Sequence, residues 1–159
     1  MNRVSKQSRL LTFCVDKQWL CLSVDQLSEV VTPQRRTQMP LAPSSVNGLI
    51  NLRGKILTEL DMRTTLSLKP RDPEDRNFRT IILETEEEGD NYGLTVDSVG
   101  EVIDMDSDAF EKTPDSLSEH WRRISYGVLK QDKRIVVLVD VEKVLALSLS
   151  EVPVAAVAA

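Results

Sequence analysis

An internal duplication is the feature of this sequence that most constrains its fold. Residues 21–31, CLSVDQLSEVV, align without gaps on residues 93–103, GLTVDSVGEVI. Residues 48–68, GLINLRGKILTELDMRTTLSL, align in the same way on residues 127–147, GVLKQDKRIVVLVDVEKVLAL. The offset grows from 72 to 79 residues between the two pairs, so the second copy carries a longer connection. Asp, Glu and Gly recur in order alongside the Val, Leu and Ile matches, which indicates two copies of one module.

Each copy follows the same plan of short, β-branched runs separated by turn residues. A strand, a turn and a second strand lead into a short turn of helix, for which Asp25 and Asp97 are suited as N-caps. A polar connection, a hairpin and a closing helix follow, with Asp61 and Asp140 at the cap position of that helix. Runs this short favour a mainly β fold of two small barrels over an alternating βαβ layout.

The polar, Pro-containing run KPRDPEDRN, residues 69–77, is interpreted as the linker between the copies. We expect subdomain one to span about 11–68 and subdomain two about 78–147. Each half is barely large enough to support its own core, so the two should pack together as one domain over 1–147. Because aromatic residues make up only 4% of the chain, Val, Leu and Ile must fill that core. The Ala- and Val-rich tail, 148–159, is expected to fray or to extend the last helix.

The charge balance argues against a nucleic-acid binder. Twenty Lys and Arg stand against 25 Asp and Glu, which gives a formal net charge of −5. No run approaches the roughly 18 consecutive apolar residues that a membrane span requires. The first residues, MNRVSKQSRLLTF, contain no apolar segment of the signal-peptide type. We therefore expect a soluble, cytoplasmic protein that does not insert into the membrane.

Two cysteines, Cys14 and Cys21, lie in the first apolar runs. A two-residue turn at Lys17-Gln18 would place them directly opposite each other in a hairpin. The simplest interpretation is two small buried or half-buried thiols that stay reduced in the cytosol. A redox pair is the alternative, although the CxxC spacing of thioredoxin-type sites is absent.

The sequence contains no recognisable catalytic motif, and we predict a protein that is not an enzyme and has no cofactor. GxSxG, HExxH, GxGxxG and the Walker loop are all absent. His120 is the only His and lies beside two arginines in the longer connection, where a surface role is the simplest interpretation. The acidic run ETEEEGD, residues 84–90, is interpreted as a solvated hairpin loop, with attraction of a basic partner as the alternative.

The Arg53-Gly54 pair divides two apolar runs and is predicted to form the tip of a hairpin. Gly54 has a local reason to be there, because hairpin turns need positive φ. Arg53 has none, and the second copy has Asp132-Lys133 at the aligned positions, so the fold does not require an arginine. An arginine fork on an apolar stem suits a protein interface. An exposed turn arginine without a partner is the alternative.

The runs VNGLINLRGKILTELDMRTTL, YGLTVDSVGEV and RIVVLVDVEKVL resemble the CheW family of bacterial chemotaxis coupling proteins. The resemblance extends from about Leu11 to Leu147 and rests on an Asn-Leu-Arg-Gly turn followed by an apolar strand and an Asp-x-Arg end. The family usually has Ile-Pro-Val or similar in that strand and Leu before the Arg. Here the strand contains Thr58 and Glu59, and Met62 precedes the Arg.

The resemblance implies a fold of two SH3-like five-stranded β-barrels with short helices, no catalysis, and a role in bridging chemoreceptor cytoplasmic hairpins to a CheA-type histidine kinase. It also implies recruitment to receptor arrays at the inner membrane. Family receptor contacts fall in the groove between the barrels. The matching positions in this sequence are Leu27, Glu29, Arg53, Gly54 and Ile56. Leu27 and Ile56 would form an apolar floor for a receptor helix, and Glu29 and Arg53 would form a polar rim. Glu29, taken to lie in the short helical stretch, could instead be a structural partner of Arg53.

Kinase contacts in the family include the start of the second copy's first strand, which nominates Thr80 and Ile81. Two other functions stay open from the sequence. One is a related adaptor in a non-flagellar chemosensory pathway, such as twitching motility or development. The other is a domain that binds a small ligand in the groove between the barrels.

Overall fold

The computed structural model of the protein describes residues 9–84, 91–131 and 133–149. It is mainly β, as the sequence predicts. Its strands, in chain order, are β1 (Arg9–Val15), β2 (Gln18–Ser23), β3 (Leu27–Val31), β4 (Arg36–Thr37), β5 (Val46–Leu52), β6 (Lys55–Asp61), β7 (Arg79–Leu83), β8 (Tyr92–Val96), β9 (Ser98–Asp104), β10 (Phe110–Glu111), β11 (Ser125–Gln131) and β12 (Arg134–Val139).

The helices in this part of the chain are short. They are α1 (Met62–Thr65), α2 (Glu119–Arg122) and α3 (Val141–Leu149), with 3₁₀ turns at Val24–Gln26 and Ser107–Ala109. No helix among the described residues is both long and apolar enough to cross a membrane. The predictions for the acidic run at 85–90 and for the tail beyond residue 149 fall on residues outside the described ranges.

The strands form two six-stranded sheets with the same order. The first sheet runs β10-β11-β12-β2-β1-β9, and the second runs β4-β5-β6-β8-β7-β3. Neighbours are antiparallel except at one seam in each sheet, where β12 runs parallel to β2 and β6 runs parallel to β8. This repeated topology is consistent with the two SH3-like units predicted from the duplication.

The sheets do not follow the subdomain boundaries predicted from the sequence. The first sheet takes β1 and β2 from the first copy and β9 to β12 from the second. The second sheet takes β3 to β6 from the first copy and β7 and β8 from the second. The expected boundaries, 11–68 and 78–147, therefore cut through both sheets. The physical reason is the parallel seam, because parallel neighbours cannot be joined by a tight turn and here come from different copies.

The hairpins that close each copy agree in detail. The pairing register shifts between Val46 and Gly48 in the first and between Ser125 and Gly127 in the second, at aligned positions. Both bulges require glycine for a close approach. A Cβ at Gly48 would lie 2.5 Å from the backbone oxygen of Thr37, and one at Gly127 would lie 2.6 Å from the Phe110 ring.

The core has three parts because most central strands are covered on both faces. A large central cluster takes side chains from both sheets, including Phe13, Leu60 and Val137. A smaller cluster on the other face of the first sheet contains Leu10, Cys21, Leu129, Val136 and Leu138. Its counterpart on the second sheet contains Ile50, Leu57 and Ile82. The continuous apolar run of β12 is explained in this way, since its last four residues are at most 1% exposed.

Two of the four predicted helix caps are confirmed. Asp61 accepts a hydrogen bond from the N–H of Arg63 at 3.1 Å, and Asp140 accepts one from the N–H of Glu142 at 3.1 Å. The prediction for Asp25 was wrong, because Ser23 caps that 3₁₀ turn and forms a capping box with Gln26. The prediction for Asp97 was also wrong, because a strand, β9, follows it directly.

The predicted pairing of the two cysteines was wrong as well. The turn falls at Asp16 and Lys17, both with positive φ, so that Cys14 lies opposite Trp19 and Thr12 lies opposite Cys21. Both thiols are free. Burial raises the pKa of Cys21 to about 12 and is also the main cause of the raised pKa of Cys14. A buried thiol with so high a pKa is a poor nucleophile at neutral pH.

A polar cluster in the second sheet takes the place of apolar packing in the first. Glu59 is fully buried on β6, and Leu138 is its aligned counterpart on β12. The Glu59 carboxylate lies 2.5 Å from the Arg36 guanidinium and accepts hydrogen bonds from Asn47 and Thr80, each at 3.3 Å. Thus Glu59, one of the departures from the family pattern, anchors the edge strand β4 to the middle of the sheet.

Replacing Glu59 tests this polar cluster. Glu59→Leu alone should lower the free energy of unfolding by about 3 kcal/mol, because the half-buried Arg36 loses its carboxylate. Phe110 is the counterpart of Arg36 in the first sheet, because Arg36 pairs with Ile50 and Phe110 pairs with the residue aligned with Ile50, Leu129. Adding Arg36→Phe to Glu59→Leu copies Phe110 and Leu138 and should recover most of that loss. Urea unfolding followed by circular dichroism measures both. A double variant less stable than the single one would contradict the equivalence of the two sites.

Candidate functional site

The predicted hairpin tip is a two-residue turn between β5 and β6. Leu52 pairs with Lys55, and the two residues between them, Arg53 and Gly54, have φ values of 54° and 85°. Positive φ at both central positions is typical of a type I′ turn, whose twist matches that of the strands. The N–H of Gly54 donates to Asn51 Oδ1 at 3.0 Å, which fixes the turn. The sequence predicted a positive φ at Gly54 but did not predict one at Arg53.

The Arg53 side chain forms a two-pronged ion pair with Glu29. Nη1 donates to Oε2 at 2.8 Å and Nη2 donates to Oε1 at 2.5 Å. The Arg53 side chain is 73% exposed and that of Glu29 is 27% exposed. The hydrogen bonds and charge of Glu29 raise the pKa of Arg53 above its ordinary value. We call this ion pair the clasp.

The clasp joins elements that are distant within the second sheet. Glu29 lies on β3 at one edge of that sheet and not in a helical stretch, which corrects the prediction from the sequence. In a flat sheet β3 would lie about 14 Å from β6, with β8 and β7 between them. Contact across this gap requires the sheet to curl. The clasp therefore links the β3 edge of the curled sheet to the turn between β5 and β6.

The apolar members of the predicted receptor site differ in exposure. Ile56 is 54% exposed and is one of the few large exposed apolar side chains among the described residues. Leu27 is partly buried and packs against the central core. The structure therefore brings Glu29 and Arg53 into direct contact, with Gly54 and Ile56 beside Arg53 on the same hairpin.

The residues nominated for kinase contact are inaccessible. The side chains of Thr80 and Ile81 are both 0% exposed. They lie on β7, which is paired on both sides by β3 and β8, and the Thr80 hydroxyl donates to Glu59. A partner could not reach either side chain in this structure, so this prediction is corrected. The two residues were nominated from the resemblance to the family, whereas the apolar run of β7 in this chain is typical of a buried strand.

A second ionic cluster lies where the two sheets meet. Asp97 connects β8 of the second sheet to β9 of the first, and its carboxylate accepts hydrogen bonds from Arg63 at 2.9 and 2.7 Å. It also binds the Arg71 guanidinium and the backbone N–H of Asp16, the latter at 2.7 Å. Asp97 thus ties together α1, the linker and the β1–β2 turn. The internal repeat identified Asp97 as a recurring residue, but it did not predict that Arg63, Arg71 and Asp16 would be its partners.

Asp97 is held ionised by these partners. Burial would by itself raise the pKa of Asp97, but the hydrogen bonds from Arg63, Asp16 and Arg71 outweigh burial and lower the pKa below its ordinary value. A hollow of about 330 Å³ adjoins this cluster, lined by Val30 and Arg79 of the second sheet and by Ser98 and Val99 of the first, with Asn77 and Asp97. It lies between the sheets, where the groove was expected.

The fold and the clasp together define a class of protein. It is a duplicated, mainly β module of two interleaved sheets, with a charged hairpin tip exposed on one of them. Within the described ranges, no group of three or more His, Cys, Asp or Glu side chains could hold a metal ion.

Comparison with known proteins narrows this class to a family. The sequence model of the CheW-like domain matches residues 9–148. The chain therefore belongs to the CheW-like domain family, whose named relatives act in chemotaxis, and the resemblance seen in the sequence is confirmed.

Several relatives match over nearly their whole length. A probable chemotaxis protein CheW of Rhizobium etli is 30% identical over 142 residues, which cover 89% of this chain and 90% of that protein. The chemotaxis protein CheW of Rhizobium meliloti is 31% identical over 135 residues, covering 85% of each chain. The crystal structure of the scaffolding protein TtCheW from Thermoanaerobacter tengcongensis superposes with a TM-score of 0.73 at 28% identity, covering 84% of this chain and 89% of that one.

The Asp97 cluster makes a prediction about acid stability. Asp97→Asn should lower the free energy of unfolding by about 2 kcal/mol at neutral pH, because two arginines lose their carboxylate. Since the pKa of Asp97 is lowered by folding, its ionised form stabilises the protein above the ordinary carboxyl pKa. The difference between wild type and variant should therefore shrink as the pH falls below about 4.

Urea unfolding at a series of pH values measures that difference. Asp104→Asn is the matched control. The Asp104 side chain is 93% exposed, and its Oδ1 lies 3.9 Å from Arg9 Nε, which makes a weak surface ion pair. A wild-type to Asp97→Asn difference that stayed constant down to the most acidic pH would contradict the assigned role of the charge.

Proposed function

We propose that the chain is a non-catalytic adaptor that couples the cytoplasmic hairpins of chemoreceptors to a CheA-type histidine kinase. It would act in the cytoplasm, recruited to receptor arrays at the inner membrane. The adaptor would bias the two-state equilibrium of the kinase through differential contacts and not through chemistry. Membership of the CheW-like family over residues 9–148 supports this proposal.

The observation that carries the proposal is the exposed clasp. Arg53 keeps 73% of its side chain in solvent although it makes two hydrogen bonds to Glu29. A surface ion pair of this kind contributes little to stability, so its presence calls for another role. With Ile56 exposed on the same hairpin, the tip offers an apolar contact beside a fixed guanidinium, which suits the amphipathic helix of a receptor.

The clasp also reconciles two interpretations of Glu29. The carboxylate orients the Arg53 fork and leaves its outer face free, so Glu29 serves as a positioning partner in the free protein. A receptor helix that brings its own polar groups would contact both members of the pair at the rim. The arginine is held in one geometry before binding, which reduces the entropy lost on association.

Two other functions remain candidates. An adaptor of a non-flagellar chemosensory pathway would use the same fold and tip with a different receptor and kinase. A small-ligand domain would need converging polar groups in the groove between the sheets. The charged groups at that hollow are already engaged, since Asp97 binds two arginines and Arg79 donates to the backbone of Phe78. This favours the adaptor.

The receptor-binding role of Arg53 is testable by substitution. Arg53→His should weaken binding to a receptor cytoplasmic fragment by about tenfold, because the fork that fits the rim is lost. The fold should be unaffected, since the side chain is exposed. Isothermal titration calorimetry measures the affinity, and circular dichroism checks the fold.

Arg123→His is the matched control. Arg123 is also exposed and pairs with a glutamate, Glu119, at 2.9 Å, but it follows the end of α2, which contacts β11 of the first sheet. It should bind receptor as the wild type does. Wild-type affinity in Arg53→His, or an unfolded Arg53→His, would refute the assignment of the tip as a receptor surface.

A further inference from the structure

The turn that carries Arg53 has an arginine at a position where its backbone favours other residues. Both central positions of a type I′ turn have positive φ, and Asn, Asp and Gly adopt that conformation most readily. Gly54 meets this requirement, but Arg53, with a φ of 54°, is a residue that rarely does. The second copy has Asp132 at the aligned position, which suits such a turn. The chemistry of the turn therefore does not select the arginine, and other contacts have to hold Arg53 in this conformation.

Packing does not hold this turn. Arg53 and Gly54 are both exposed. A Cβ atom added at Gly54 would have no described residue within 4 Å of it, apart from its own chain neighbours. Beyond the pairing of β5 with β6, the turn is held by two contacts. One is the hydrogen bond from the Gly54 N–H to Asn51, and the other is the ion pair between Arg53 and Glu29.

The two contacts fix opposite ends of the arginine. Asn51 Oδ1 accepts the Gly54 N–H at 3.0 Å, and that N–H belongs to the peptide unit that joins Arg53 to Gly54. The hydrogen bond therefore restrains the ψ of Arg53 and the φ of Gly54, which together set the direction of the arginine side chain. Asn51 itself is fixed on β5, where it pairs with Ile56. Glu29 fixes the other end, the guanidinium.

The hydrogen-bond acceptor at position 51 accompanies the arginine at position 53. The residue aligned with Asn51 in the second copy is Lys130, whose ammonium group cannot accept a hydrogen bond. The copy that has the arginine therefore has the acceptor, and the other copy has neither. Asn51 is exposed on a strand, where asparagine is depleted, so neither burial nor strand propensity explains it. Its contact with the turn does.

We propose that Asn51 is a positioning residue for the receptor contact. By accepting the Gly54 N–H, it keeps Arg53 in the left-handed conformation from which the guanidinium reaches Glu29 and is presented to the receptor. The inference rests on the proposed function, because it explains how the tip assigned to the receptor is held before binding. Without Asn51 only a fraction of the molecules would present the guanidinium, and the apparent dissociation constant rises by the inverse of that fraction.

Asn51→Ala tests the inference through binding kinetics. If about a fifth of the variant molecules keep the competent turn, the affinity for a receptor cytoplasmic fragment falls about fivefold. Because the turn forms before the receptor arrives, the loss should appear in the association rate constant, while the dissociation rate constant stays that of the wild type. A direct contact that is lost would instead speed dissociation. Surface plasmon resonance measures both rate constants.

Two further variants separate positioning from direct contact. Asn51→Asp keeps a side-chain oxygen for the Gly54 N–H but loses the amide donors, so it should restore the wild-type association rate. In an Arg53→His background, Asn51→Ala should cause no further loss of affinity, because the residue that it positions is already gone.

Asp106→Ala is the matched control. Asp106 is exposed, and its Oδ1 accepts the N–H of Asp108 at 3.0 Å, so the variant loses the same kind of hydrogen bond between β9 and β10 of the first sheet. It should bind the receptor fragment with wild-type rate constants. Amide hydrogen exchange, measured without receptor, gives an independent readout. The Gly54 amide should exchange faster in Asn51→Ala than in the wild type, and circular dichroism should show the same fold.

Two results would overturn the inference and leave the proposed function standing. In the first, Asn51→Ala binds the receptor fragment with wild-type rate constants, which would mean that the tip does not need Asn51. In the second, Asn51→Ala dissociates faster and Asn51→Asp does not restore binding, which would mean that Asn51 contacts the receptor itself. If the wild type does not bind the receptor fragment, the proposed function itself fails, whatever the exchange of the Gly54 amide shows.

Discussion

The parallel pairing at the centre of each sheet is the constraint on which the rest of the structure depends. β12 lies against β2 in one sheet and β6 against β8 in the other, and in each case the two strands come from different copies of the module. Neither copy can complete a sheet alone. The two copies are therefore held together by backbone hydrogen bonds within each sheet. The central core and the Asp97 cluster join the two sheets to each other.

This interleaving leaves the two copies of the module free to diverge at equivalent positions. Each sheet ends in an equivalent hairpin tip, and because the copies are separate stretches of sequence, the tips can diverge. At one tip Arg53 and Glu29 neutralise each other across the curled sheet. At the other, the Arg134 guanidinium lies over the Trp19 ring and donates to the Gln131 side chain. The same divergence occurs inside the sheets, where Glu59 and Arg36 occupy positions that are apolar in the other copy.

Features that depend on local chemistry could be predicted from the sequence. The turn glycine at 54, the caps at Asp61 and Asp140, the hairpins that close the two copies and the mainly β class all follow from residues close to one another in the chain. Features that depend on partners far along the chain could not. Strand exchange places Asp97 beside Arg63 and Arg71, and curling of the sheet places Arg53 beside Glu29. The apolar pattern at Thr80 and Ile81 is compatible with a surface edge or a buried strand, and only the pairing of β7 on both sides decides between them.

Fragment complementation tests the interleaving most directly. The chain would be divided in the linker into residues 1–73 and 74–159, and each fragment would be studied by circular dichroism and thermal unfolding, alone and mixed in equal amounts. The account predicts that neither fragment has cooperative β structure alone, and that mixing restores a single cooperative transition. Cooperative unfolding of either fragment by itself would contradict it, because each copy would then form a complete sheet without the other.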